Sequence, residues 1–112
     1  MTVQVVQMFE PTVLTTSAAT LYTVTGAPTA LLQRGRIRFT NTSGSAVNVT
    51  AYNVPSGGTA GSANEFCPVL SVPGNSNLDI DVPVLAIGDF VQALASTGSA
   101  VVAHALDGVL FS

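Results

Sequence analysis

The sequence predicts an all-β protein: a single small β-sandwich of jelly-roll type with about seven or eight antiparallel strands. Three observations carry that expectation. Valine (16), alanine (14) and threonine (13) dominate the 112 residues. Clusters of Gly, Pro, Asn and Ser break the Val- and Thr-rich runs every 8 to 12 residues or so, the spacing of short strands joined by turns. No window sustains the 3.6-residue period of an amphipathic helix.

Thr2 to Phe9 and Thr20 to Val24 read as strands, separated by a Thr-rich segment after Pro11. Val3, Val5, Val6, Met8 and Phe9 are more apolar than a free terminus tolerates in water. Residues 1–12 are therefore expected to form an N-terminal arm or edge strand that packs on a neighbouring subunit or shell, with residues 13–112 forming the sandwich. The clearest strand is Leu32 to Asn41. There Arg34, Arg36, Arg38 and Thr40 share one face and Gly35, Ile37 and Phe39 the other, by the two-residue period of a pleat. Asn41 to Ser45 is a turn, and Ala46 to Val54 alternates again, so the two strands are expected to pair as a hairpin.

Pro55 to Asn64 is a polar loop of a length that usually means a task or a tether. Phe66 to Val72 follows, then the turn Pro73 to Asn77. In Leu78 to Val82, Leu78, Ile80 and Val82 face inward and Asp79 and Asp81 outward, and Pro83 ends the strand. Phe90 to Ala95 and Ala100 to Leu106 are expected to form a final hairpin across Ser96 to Ser99, with Val109 to Phe111 resuming after a break at Asp107-Gly108. Ala86 to Ala95 is not a helix, because Gly88-Asp89 interrupts it and Phe90 and Val91 favour strand.

Composition narrows function. Hydrophobic residues make up 47% and charged residues 8%, against about 25% charged in an ordinary soluble domain, so disorder is excluded. Apolar runs such as Val84 to Ile87 are far shorter than the roughly 20 residues of a membrane-spanning helix. Three arginines, no lysine and a net charge of −3 leave no basic footprint for nucleic acid. No basic residue precedes Arg34, so no Sec-type signal start is expected. The Gly-rich stretch 56–61 lacks the Lys-Ser/Thr of a phosphate loop.

His104 and Cys67 are each the only residue of their kind. His104, among Val102, Ala103, Ala105 and Leu106, reads as packed in or at the rim of the last strand. Cys67 lacks the basic neighbours that activate a thiol and cannot form an internal disulfide. Asp79 and Asp81, about 7 Å apart along one strand face, would need several further oxygens to hold calcium; a solvated or salt-bridged face is the simpler reading. The Asn-x-Ser/Thr matches at Asn41 and Asn48 are those expected by chance in so Ser- and Thr-rich a chain. No catalytic, cofactor-binding or metal residue is assigned, and the chain is read as a non-enzyme.

Arg36 to Ser43, then Ala46 to Thr50, then Tyr52-Asn53-Val54-Pro55-Ser56-Gly57-Gly58, resemble a family of small β-sandwich virion structural proteins from tailed bacteriophages and prophages. Val82-Pro83 through Ala86-Ile87-Gly88-Asp89, and Gln92 to Ser96, are similar to it as well. The resemblance covers most of residues 31–112. It implies a structural module of the virion, on the capsid surface or in a head or tail fibre, made in the bacterial cytoplasm and acting without cofactor, nucleic acid or membrane. It carries over no catalytic residue. A chain one domain long, with no coiled coil and no repeat, points to a capsid decoration (cement) protein rather than a fibre. Its expected partners are its own copies, as trimer or dimer, and the major capsid protein or another virion protein. A fibre accessory or a carbohydrate- or receptor-binding module is the alternative, although the chain has no Trp and only two Tyr. The candidate interface comprises Arg34, Arg36 and Arg38 with Val3, Val5, Val6, Met8 and Phe9. The arginines either pair with acids such as Asp79 and Asp81 on a solvated face or contact another subunit through their planar forks.

Overall fold

The computed structural model describes residues 3–25 and 31–111; Met1 and Thr2, where the arm would begin, lie outside them. Among the described residues ten strands follow one another: β1 (Val3–Val5), β2 (Thr12–Val13), β3 (Ala19–Thr23), β4 (Leu31–Asn41), β5 (Val47–Val54), β6 (Glu65–Val72), β7 (Ser76–Val82), β8 (Leu85–Ala86), β9 (Phe90–Ala95) and β10 (Val101–Phe111). One sheet has the order β1-β10-β4-β7, with β2 also on β10 and β8 on β4; the other has the order β3-β9-β5-β6. All pairs are antiparallel. With β1 and β2 counted as one broken strand and β8 as an extension, this is the eight-strand interleaving of a jelly roll.

The alternation read from the sequence builds the core. Ile37 and Phe39 of β4, Val47, Val49 and Ala51 of β5, Val91, Ala93 and Ala95 of β9, and Val101 and Ala103 of β10 meet between the sheets. Phe39 and Ile37 fill the middle without contact with water.

Both expected hairpins are corrected. β4 and β5 lie in opposite sheets, as do β9 and β10. Alternation says which side of a strand meets the core, not which strand lies beside it. A turn of four or five residues spans the roughly 10 Å between sheets as readily as the roughly 4.8 Å between neighbours. At the first crossing the buried Asn41 organises the arch. Its Nδ2 donates to Ser45 O (2.8 Å) and to Val72 O (3.0 Å), and its Oδ1 accepts from the backbone N–H (2.9 Å) and hydroxyl (2.7 Å) of Ser43. Val72 ends β6 in the opposite sheet, so one amide side chain ties the layers together. The β6–β7 connection docks on the same arch, with Asn75 N donating to Ser43 O at 2.8 Å. Gly74 is required there because a Cβ would lie 2.5 Å from the Gly44 carbonyl.

Two smaller differences concern β10 and the N-terminal segment. β10 runs on through Asp107-Gly108, where a break was expected, and accommodates the irregularity as a bulge at Leu106. β1 pairs with β10 in the register Val3↔Phe111 to Val5↔Val109, and the chain then brings Met8 into the core at 6% exposure. Gly35 and Gly108, opposite each other on β4 and β10, form the hollow that Met8 fills: a Cβ on Gly35 would lie 2.9 Å from Met8 Sδ, and one on Gly108 2.9 Å from Met8 Cγ.

Candidate interaction surface

The outer face of the six-stranded sheet is built from residues of opposite parity to the core. Its centre is a set of cross-strand rows. His104 of β10 lies opposite Arg38 of β4, which lies opposite Asp79 of β7; Asp107, Arg36 and Asp81 form the next row. Arg38 grips Asp79 with two donors, Nε to Oδ1 at 2.8 Å and Nη2 to Oδ2 at 3.1 Å. Arg36 reaches the same Asp79 Oδ2 at 3.4 Å and Asp81 Oδ1 at 3.8 Å. Arg34 approaches Asp107 Oδ2 at 3.8 Å. The Arg38 hydrogen bond is the main reason the Asp79 carboxyl is held below its usual range; desolvation, the next largest effect, opposes it, and the Arg38 and Arg36 charges add to the lowering. The bond to Asp79 raises Arg38 in turn.

Three arginines and three aspartates balance on this face. Since the whole chain carries −3 from six acids and three arginines, the remaining acids Glu10, Glu65 and Asp89 account for all of the net charge. The loosest members are Arg34, with a side chain 69% exposed, and Asp81, at 90%. Apolar side chains border the ladder: Val5, Val13 and Leu106 are exposed, and Val5 lies beside Val109, the residue opposite Arg34.

The other interface candidates divide. Val3 and Val5 are exposed, Val6 and Phe9 are half-buried, and Met8 is in the chain's own core. The sheet thus brings Val5 near the arginines and turns Met8 away from them. Asp107 as the partner of Arg34 was not legible in the sequence, because the Leu106 bulge shifts its parity. Asp89 was likewise unassigned: its carboxylate accepts from Ser56 N and Ala86 N, both at 3.0 Å, and pins the start of the 55–64 loop. Farther along that loop Asn64 clamps it, accepting from Gly61 N and donating to Thr59 O, each at 3.0 Å. His104 is half-buried on the outer face and Cys67 half-buried on β6; burial pushes the Cys67 thiol up, away from reactivity. Among the described residues no group of three or more His, Cys, Asp or Glu is placed to hold a metal, and no helix is long and apolar enough to cross a membrane.

No protein-family model matches the chain, and no curated protein does. Solved structures share the fold, two of them as follows. A protein of Bacillus endospore appendages, described as a novel family of disulfide-linked pili, superposes with a TM-score of 0.54 at 17% identity over 97% of this chain and 86% of that one. A chain in the structure of infectious bursal disease virus, Gx strain, does so with a TM-score of 0.50 at 14% identity over 97% of this chain, which spans about a third (32%) of the viral one. At such identities the likeness is one of fold.

Proposed function

We propose that this chain is a non-enzymatic structural protein of a bacteriophage virion, a capsid decoration protein that stabilises the head through contacts between subunits. The observation that carries the reading is the outer face of the six-stranded sheet: broad, charge-balanced, holding every arginine of the chain and bordered by exposed valines. Arginine forks that share their carboxylates at 3.4–3.8 Å retain donors for acidic or carbonyl groups of a shell protein. A fold also found in an endospore appendage and in a virus particle is in keeping with this role, and the appendage likeness favours a fibre component as the second reading.

The test is occupancy. Replacing Arg34, Arg36 and Arg38 together with serine is expected to reduce binding to particles by tenfold or more, while lowering the melting temperature of the isolated protein by only a few degrees, since exposed ion pairs contribute little to stability. Cryo-electron microscopy of the particle showing the protein at the tail tip or on fibres, and none on the head, would defeat the decoration role and leave the fibre reading.

A further inference from the structure

The two long sides of the sandwich are finished differently. On one side β6 and β7 meet. There β6 carries Pro68, which has no N–H to offer another strand, and β7 carries Asp79 and Asp81. Both are devices that stop sheets from adding strands at an edge. On the other side lie β1 and β2, at the edge of one sheet, and β3, at the edge of the other. Their ten residues, VQV, TV and ATLYT, include neither proline nor charge. The nearest of each, Pro11 and Glu10, come just before β2.

The backbone of β1 is poised to pair. Val6 N donates to Gly108 O at 2.8 Å, and hydrogen-bonded and non-bonded pairs alternate along an antiparallel ladder. Gln4 therefore exchanges its bonds with Leu110, while the N–H and C=O groups of Val3 and Val5 point away from β10 into the open edge. The side chains of these two valines are exposed as well, Val3 at 59% and Val5 at 85%.

We infer that this open side receives a second copy of the chain, about a two-fold axis perpendicular to the sheets, with β1 antiparallel to the β1 of its partner and β3 facing the β3 of its partner. The occupant follows from the absence of charge. Across a two-fold axis each residue lies near its own mate, so a charged edge would repel itself, whereas Val, Thr, Gln and Ala meet without penalty. A strongly acidic or basic partner would find nothing complementary here. The symmetry closes the β1 and β3 edges at once. The arginine face stays outside the contact, and the pairing does not depend on what that face binds.

Sedimentation of the purified full-length chain tests this. The wild type is expected to be a dimer at micromolar concentration. Val5→Pro removes one outward N–H and no bond to β10, so it is expected to be monomeric with an unchanged circular dichroism spectrum. Val5→Asp sets two like charges at the contact and is expected to weaken dimerisation at least tenfold, and it decides the matter if the proline variant does not fold. Asp81→Ser, on the arginine face, is expected to leave the dimer intact. A wild type that is monomeric or trimeric, or Val5 variants that dimerise as the wild type does, would overturn the inference. Particle occupancy does not enter these measurements, so the decoration role can fail while the dimer stands, and the reverse.

Discussion

Asp79 is the hub of the charged face, accepting from Arg38 twice and from Arg36 once. Because its carboxyl is held below the ordinary value by these partners, it binds a proton more readily in the unfolded chain than in the folded one. Its contribution is fully present above the unfolded value of about 3.9 and is lost as the pH falls below that through the folded value. Melting curves from pH 6 to pH 2 are expected to show Asp79→Asn flattening the acid limb. At the glycine pair the outcome depends on what the new methyl meets. In Gly108→Ala it would lie 2.6 Å from the Val6 carbonyl oxygen, which is backbone, whereas in Gly35→Ala the closest atom is the mobile Met8 sulfur at 2.9 Å. Denaturant titration is expected to show a loss of about 1–3 kcal/mol for Gly108→Ala and a smaller one for Gly35→Ala.

Between elements, the decisive device is the arch after β4. Asn41 is 1% exposed and its amide satisfies two carbonyls, that of Ser45 in the arch and that of Val72 at the end of β6 in the opposite sheet. Asn41→Leu would leave Ser45 O and Val72 O without that donor, and a buried polar group deprived of its partner costs about 1–3 kcal/mol. The expected result is a destabilisation of that order by urea titration, with hydrogen exchange accelerated first at residues 42–46 and 73–76. The opposite end of the sandwich is tied by Asp89 in the same manner, through the backbone N–H groups of Ser56 and Ala86. These polar clamps explain how a chain with so few charges holds its connections in place.

For the molecule as a whole, the N-terminal segment has two parts with different duties. Val3–Val5 lies on the edge of the sheet, whereas Met8 closes the core over Gly35 and Gly108. Removing residues 1–5 is therefore expected to leave the sandwich folded with a small change in melting temperature while weakening association between copies. Removing residues 1–10 also strips Met8 from its hollow, and a loss of about 2–5 kcal/mol, the range for emptying a core Met or Leu site, is expected in thermal or chemical unfolding. Comparing the two truncations by calorimetry and sedimentation separates the assembly role of the segment from its packing role.

The sequence by itself determined the class of the fold and the side of each strong strand that faces the core. In β4, β5, β7 and β9 a period of two in Val, Ile, Ala and Phe against Arg, Asp, Asn and Thr leaves only one way to bury apolar surface. The same parity put Arg34, Arg36 and Arg38 on one face and Asp79 and Asp81 on the outside of another strand. That these two sets meet, with Asp79 between two arginines, was decided by the β4–β7 register. The two-residue strands β2 and β8 carry too few residues to show a period, so they emerge only where β10 and β4 offer them a ladder. Which sheet each strand joins was likewise a tertiary matter. Short turns serve both neighbours and arches, and the choice fell to contacts far apart in the chain: Asn41 with Val72, Thr42 with Ala100, and Leu14 with Val101. Local periodicity reports which way a side chain points; only the closed sandwich settles what it meets.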